Sequence, residues 1–90
     1  MTDETQEVKP DPAELRDAGL RAFARGDFAN AAQLLLPCAE NGDVTAQMLL
    51  ARLDYAGNGV TADLDRYRYW LEKAAANGDK TARAKLKRLQ

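Results

Sequence analysis

Apolar residues recur along this chain in steps of three and four. Leu15, Ala18, Gly19 and Ala22 form the first set, and Phe28, Ala31, Ala32, Leu35 and Ala39 the second. Ala46, Leu49, Leu50 and Leu53 form a third, Leu64, Tyr67, Leu71, Ala74 and Ala75 a fourth, and Ala82, Leu86 and Leu89 the last. Each set marks one face of a helix about three turns long. No segment alternates with period two, so no sheet is expected. The pattern predicts an all-α chain of five helices.

The residues between the apolar sets agree. Gly-Asp occurs at Gly26-Asp27, Gly42-Asp43 and Gly78-Asp79. A glycine just past a helix end takes the left-handed conformation that closes the helix. The aspartate after it accepts a hydrogen bond from free N–H groups of the next helix. One dipeptide thus ends a helix and starts another. Asp63 is the expected cap after the longer loop "AGNGVTA", and Asp11 that of the first helix, with Pro12 in its first turn. Asn-Gly, at Asn41, Asn58 and Asn77, is also a hairpin signal, but its flanks here have period 3.6 rather than two.

The chain repeats itself. "AENGDVTAQ" from Ala39 returns as "AANGDKTAR" from Ala75, thirty-six residues on. At that offset Gly42 matches Gly78, Asp43 Asp79, Ala46 Ala82, Leu50 Leu86, Arg52 Arg88 and Leu53 Leu89, and upstream Leu35 matches Leu71. The first helix aligns at an offset of thirty-two, pairing Gly19 with Ala51 and Phe23 with Tyr55. The loop around "GNGV" takes up the difference. A period in this range means stacked helical hairpins, since one hairpin cannot bury its apolar face alone.

The stretch from Thr45 to Asp79 resembles a Sel-one-like repeat, a tetratricopeptide-like solenoid unit. The residues that carry the likeness are Gly57, Gly59, Val60 and Asp63, then "WLEKAA" from Trp70, then Gly78. The stretch from Ala18 to Asp43 looks like an ordinary tetratricopeptide unit with the short turn, so the likeness covers about residues 13–90. It departs from the family pattern at Ala51, where a glycine is usual, and at Tyr67, where a small residue usually lets the helices approach. Pro37, late in the second helix, removes one N–H and crowds the preceding turn, so an irregular last turn is expected there. The resemblance implies a right-handed solenoid of about two helical hairpins plus a C-terminal capping helix. It also implies that the first helix of each hairpin lines a concave side. The side chains pointing away from the hairpin core there are Arg16, Leu20 and Phe23 on the first helix, Met48, Arg52 and Tyr55 on the third, and Arg88 on the last.

Composition narrows the chemistry. Ninety residues make one small domain. Acids and bases nearly cancel, at a net charge of −1, so charge gives no steer toward nucleic acid or anionic lipid. The distribution is uneven: residues 1–40 hold eight acids and four bases, residues 41–90 six acids and nine bases. Residues 1–12, "MTDETQEVKPDP", are polar and without period, and are expected to form a flexible tail. They do not read as a secretory signal, and no run reaches the roughly 18 apolar residues of a membrane span. A cytoplasmic protein is the expectation.

Histidine is absent, which removes the commonest general base and metal ligand. The single cysteine, Cys38, allows no internal disulfide, makes a zinc site improbable and is expected to be a small buried apolar residue. "GNGV" lacks the Lys and Ser/Thr of a phosphate loop. Paired acids such as Asp63 and Asp65 suit a helix start. No cofactor, no metal and no catalysis are expected.

The expected function is a non-catalytic protein–protein interaction module, an adaptor taking a peptide or protein partner along Arg16, Leu20, Phe23, Met48, Arg52, Tyr55 and Arg88. That surface offers apolar patches with arginines at intervals, which suits a peptide with acidic residues. A secondary surface is Arg68 with Tyr69, in the aromatic patch "RYRYW". The alternatives are a self-associating structural protein, forming a homo-oligomer through its exposed hairpin ends, and a nucleic-acid binder. The latter would use the basic last helix, with Lys80, Arg83, Lys85, Lys87 and Arg88. That helix lacks an aromatic platform, which weighs against nucleic acid.

Overall fold

The computed structural model describes residues 11–89, so most of the expected tail, residues 1–10, lies outside the described residues. Five helices follow in order: α1 (Pro12–Ala24), α2 (Phe28–Glu40), α3 (Val44–Ala56), α4 (Leu64–Ala76) and α5 (Lys80–Arg88). The described residues contain no strand. The fold is all-α, and each helix packs chiefly on its neighbours in sequence, α1 on α2, α2 on α3, α3 on α4 and α4 on α5.

The Gly-Asp corners work by a shared hydrogen-bond scheme. The amide of Asp27 donates to the Ala22 carbonyl, that of Asp43 to Cys38 and that of Asp79 to Ala74. Each aspartate therefore closes the helix behind it through its backbone. Two of the three also open the next helix through the side chain: Asp43 accepts from the Ala46 amide at 3.0 Å and Asp79 from the Ala82 amide at 2.8 Å. Asp63 does the same for Arg66, and Asp11 forms a capping box with Glu14. Asp11 and Pro12 thus belong to the first helix rather than to the tail.

Asp27 departs from this scheme. Its side chain makes no cap bond to α2, whose first N–H groups it was expected to receive. It takes a long contact from Asn30 at 3.4 Å and lies 3.7 Å from Arg25. Its ψ of 72° is short of the extended value that aims a cap residue's side chain back over the helix. Helix α2 extends through Pro37 to Glu40, so the proline, where a kink or an irregular last turn is expected, lies inside the helix.

The core is rich in alanine. Ala22, Ala31, Ala39, Ala46, Ala51, Ala74 and Ala82 are buried, and Leu35, Leu50, Leu53, Leu71 and Trp70 fill the space between the closely spaced backbones. Matched positions of the repeat play matched roles, since Leu35 and Leu71 are fully enclosed, as are Ala46 and Ala82. Cys38 is buried too, as expected. Its Sγ contacts the Pro12 and Leu34 carbonyls, and burial pushes its thiol pKa up, away from reactivity. One polar residue is enclosed with the apolar ones. Gln47 donates to the Ala39 carbonyl at 2.9 Å and takes a long contact from Asn77 at 3.5 Å, which ties the first Asn-Gly-Asp corner to the second.

The long loop between α3 and α4 is clasped by one arginine. Arg66 reaches Asp54 at 3.1 Å, Asp63 at 3.1 Å and the Thr61 carbonyl at 2.9 Å. Asp54 is almost enclosed, and desolvation holds its carboxyl above the ordinary 3.8, with Arg66 opposing. A raised carboxyl pKa means that its stabilising share is present at acid pH and fades as pH rises through the raised value. Losing Arg66 removes the opposing effect and raises it further. Arg66→Met is therefore expected to lose about 1–3 kcal/mol at pH 7, with a deficit that narrows toward pH 4 as Asp54 takes up its proton. Urea unfolding of both proteins at the two pH values checks this, and equal deficits would count against the clasp.

Candidate functional site

A groove of about 500 Å³ opens between α3, α4 and α5. Its walls come from helical spacing. Met48, Arg52 and Tyr55 stand at steps of four and three on α3, and Lys85 and Arg88 stand three apart on α5, with Leu89 just past its end. Tyr67 and Leu71, four apart on α4, lie between them, with Ala51 and Ala56 completing the lining. Helices α3 and α5 thus flank α4.

Four of the residues expected to meet a partner come together here: Met48, Arg52, Tyr55 and Arg88. A fifth, Phe23, stands behind them. The Arg52 guanidinium lies 5.4 Å over its ring, and Phe23 meets Phe28 edge to face at 5.3 Å. The other two stand apart. Arg16 reaches across to the start of α3, with its Nε 2.9 Å from Asp43 and its Nη2 3.3 Å from the Thr45 hydroxyl. Leu20 is half-buried on α1 and does not line the groove. Arg68 and Tyr69 do not share a surface. Arg68 edges a shallow cleft with Glu72, Leu86 and Leu89, whereas Tyr69 lies against Trp70, with the Lys73 ammonium 5.3 Å over its ring.

Two aromatic rings shape the groove. Tyr55 is exposed, and its ring lies 4.9 Å from that of Tyr67 at 48°. The Tyr67 ring thus lies against that of Tyr55 on the neighbouring helix. Three cations line the groove, Arg52, Lys85 and Arg88, and no acidic side chain does. Among the described residues none of the three has a carboxylate within 4.0 Å, and the ion pairs found involve Arg16, Arg25 and Arg66. Tyr67, Leu71, Lys85 and Leu89 were not singled out as partner contacts from the sequence. The thirty-six-residue match of Leu53 with Leu89 marked the latter as core, and only the packing of α5 shows its edge to be open.

Among the described residues no cluster of three or more His, Cys, Asp or Glu side chains is arranged to hold a metal ion. None of the described helices is long and apolar enough to cross a membrane. Set against models of known families, against curated proteins and against solved structures, the chain matches none.

Proposed function

We propose that this chain is a non-catalytic protein–protein interaction module that takes a partner's peptide segment in the groove between α3, α4 and α5. The observation that carries the reading is the convergence of Met48, Arg52, Tyr55 and Arg88 on one cleft. Met48, Arg52 and Tyr55 share one face of α3, and the packing of α5 brings Arg88, up to forty residues away in sequence, to the same cleft. Exposed Tyr and Arg beside a partly apolar floor make the composition of a binding hot spot. The likeness to Sel-one-like and tetratricopeptide repeats points the same way, toward an adaptor. No carboxylate in the groove is poised for acid–base work, since none lines it.

The test is a paired capture. Arg52→Glu and Tyr55→Ala are expected to lose about tenfold or more of partner binding while keeping the helical circular dichroism of the parent, because both side chains are exposed. Capture from lysate with parent and variants side by side, read by mass spectrometry, should show one set of proteins depleted from both variants. Identical sets from all three proteins would remove the groove from consideration.

A second reading has one observation behind it. Leu86 on α5 and Leu89 just past its end are only half-buried, beside Arg68 and Glu72, and a second copy of the chain could cover them. Light scattering over a range of concentrations decides it, since a constant monomer mass excludes that pairing.

A further inference from the structure

The groove's charge is local. The whole chain carries a net charge of −1, yet Arg52 stands on one wall and Lys85 and Arg88 on the other, with no acid between them. Among the described residues no carboxylate lies within 4.0 Å of any of the three. Arg52 also has an aromatic neighbour. Its guanidinium lies 5.4 Å over the Phe23 ring, a contact that favours that orientation over others. Between the cations the accessible apolar surface comes from the half-buried Met48, Tyr67 and Leu89, over the enclosed Ala51 and Leu71.

We propose that the occupant of this groove is an acidic segment of a partner protein built around an apolar anchor. One apolar side chain rests on the floor, and carboxylates to either side of it meet Arg52 on one wall and Lys85 with Arg88 on the other. The inference rests on the groove being the partner site proposed above. Carboxylates match the guanidinium fork with two parallel hydrogen bonds, and the half-sheltered cleft strengthens each charge pair relative to open water. The anchor suits the apolar surface that Met48, Leu89 and the Tyr67 ring present. A nucleic-acid duplex fits less well. A cleft of about 500 Å³ admits a few side chains, and the three cations look into it instead of forming a ridge that tracks a phosphate backbone.

The experiment selects from a library of random dodecapeptides displayed against the full chain at low salt. Enriched peptides are expected to place Asp or Glu on both sides of Leu, Ile, Phe or Met and to be depleted in Lys and Arg. The best of them, made synthetically, should bind about tenfold more weakly to Arg52→Ala and to Arg88→Ala, by loss of a charge-assisted contact. The same peptide with Asn and Gln in place of its acids should weaken similarly on the parent. Binding should fall as salt rises. Neutral or basic enriched sequences, or an amide peptide that binds as well as the acid, would overturn the proposal. If such peptides still lose binding to Tyr55→Ala, the groove survives as a partner site and only its preference for acid falls. Peptides that bind every groove variant equally, or no enrichment at all, overturn both. Residues 1–10 carry Asp3, Glu4 and Glu7. A tenfold gain in affinity on their removal would make the chain's own acidic segment the occupant and overturn a partner's claim to the site, whereas unchanged affinity supports it.

Discussion

Replacing Gly59 with alanine is expected to lower the melting temperature by roughly 10–30 °C, more than any other glycine-to-alanine change at a helix corner. Two effects combine. The backbone of Gly59 has φ +73°, a region that costs an L-residue about 1–2 kcal/mol. A Cβ there also strikes the start of α2, on the Ala29 amide nitrogen and within 2.5 Å of the Phe28 carbonyl carbon. Backbone cannot swing aside as a flexible side chain does, so either the loop lifts or α2 shifts, at about 1–3 kcal/mol or more. For a domain of this size each kcal/mol moves the midpoint by roughly 4–8 °C. Gly26 is the control. Its φ is +81°, but a Cβ added there meets nothing within 4 Å. Gly26→Ala should lose only the conformational part, roughly 4–16 °C by the same conversion. Thermal melts of the two variants, followed by circular dichroism, decide the matter. Equal shifts would mean that the α3–α4 loop does not rest on α2.

That contact also shows where sequence reading stops. The helices, the Gly-Asp corners and the caps at Asp11, Asp43, Asp63 and Asp79 are legible because each depends on residues within one or two turns. Asp27 also follows a glycine and still does not cap, its carboxylate instead facing Asn30 and Arg25. The same helix start meets Gly59, some thirty residues later, at the Phe28 and Ala29 backbone, a contact that no local rule contains. The same division runs through the groove. Met48, Arg52 and Tyr55 share a helix face by arithmetic, so they could be placed on one surface together. Arg16 sits on the corresponding face of α1, yet Asp43 and Thr45 hold it, a pairing decided by how the hairpins stack. Lys85 was legible as a cation on a basic helix, and only the docking of α5 on α4 turns it toward Arg52's groove.

The second large effect comes from the closest approach of α1 and α2, and its sign depends on the partner residue. Leu35 is fully enclosed, and truncating it to alanine should remove about 2–5 kcal/mol through lost burial and the cavity left behind. Directly opposite lies Gly19, where an added Cβ would come within 2.6 Å of Leu35 Cδ2 and 2.7 Å of its Cγ. Gly19 sits inside a regular helix, so alanine there gains about 1 kcal/mol of helix propensity. With leucine at 35 the overlap outweighs that gain. Leu35 has no free space to retreat into, and Gly19→Ala is expected to lose about 1–2 kcal/mol net. In the Leu35→Ala background the obstacle is gone, the new methyl enters the vacated space, and the propensity gain remains. There Gly19→Ala should stabilise. Urea unfolding of the parent, both single variants and the double variant closes the cycle, and a coupling of at least about 1 kcal/mol is expected from residues in direct contact. A Gly19→Ala effect of the same sign and size in both backgrounds would place the α1–α2 contact elsewhere, and with it the register that lets α2 carry Ala39 to the first Asn-Gly-Asp corner.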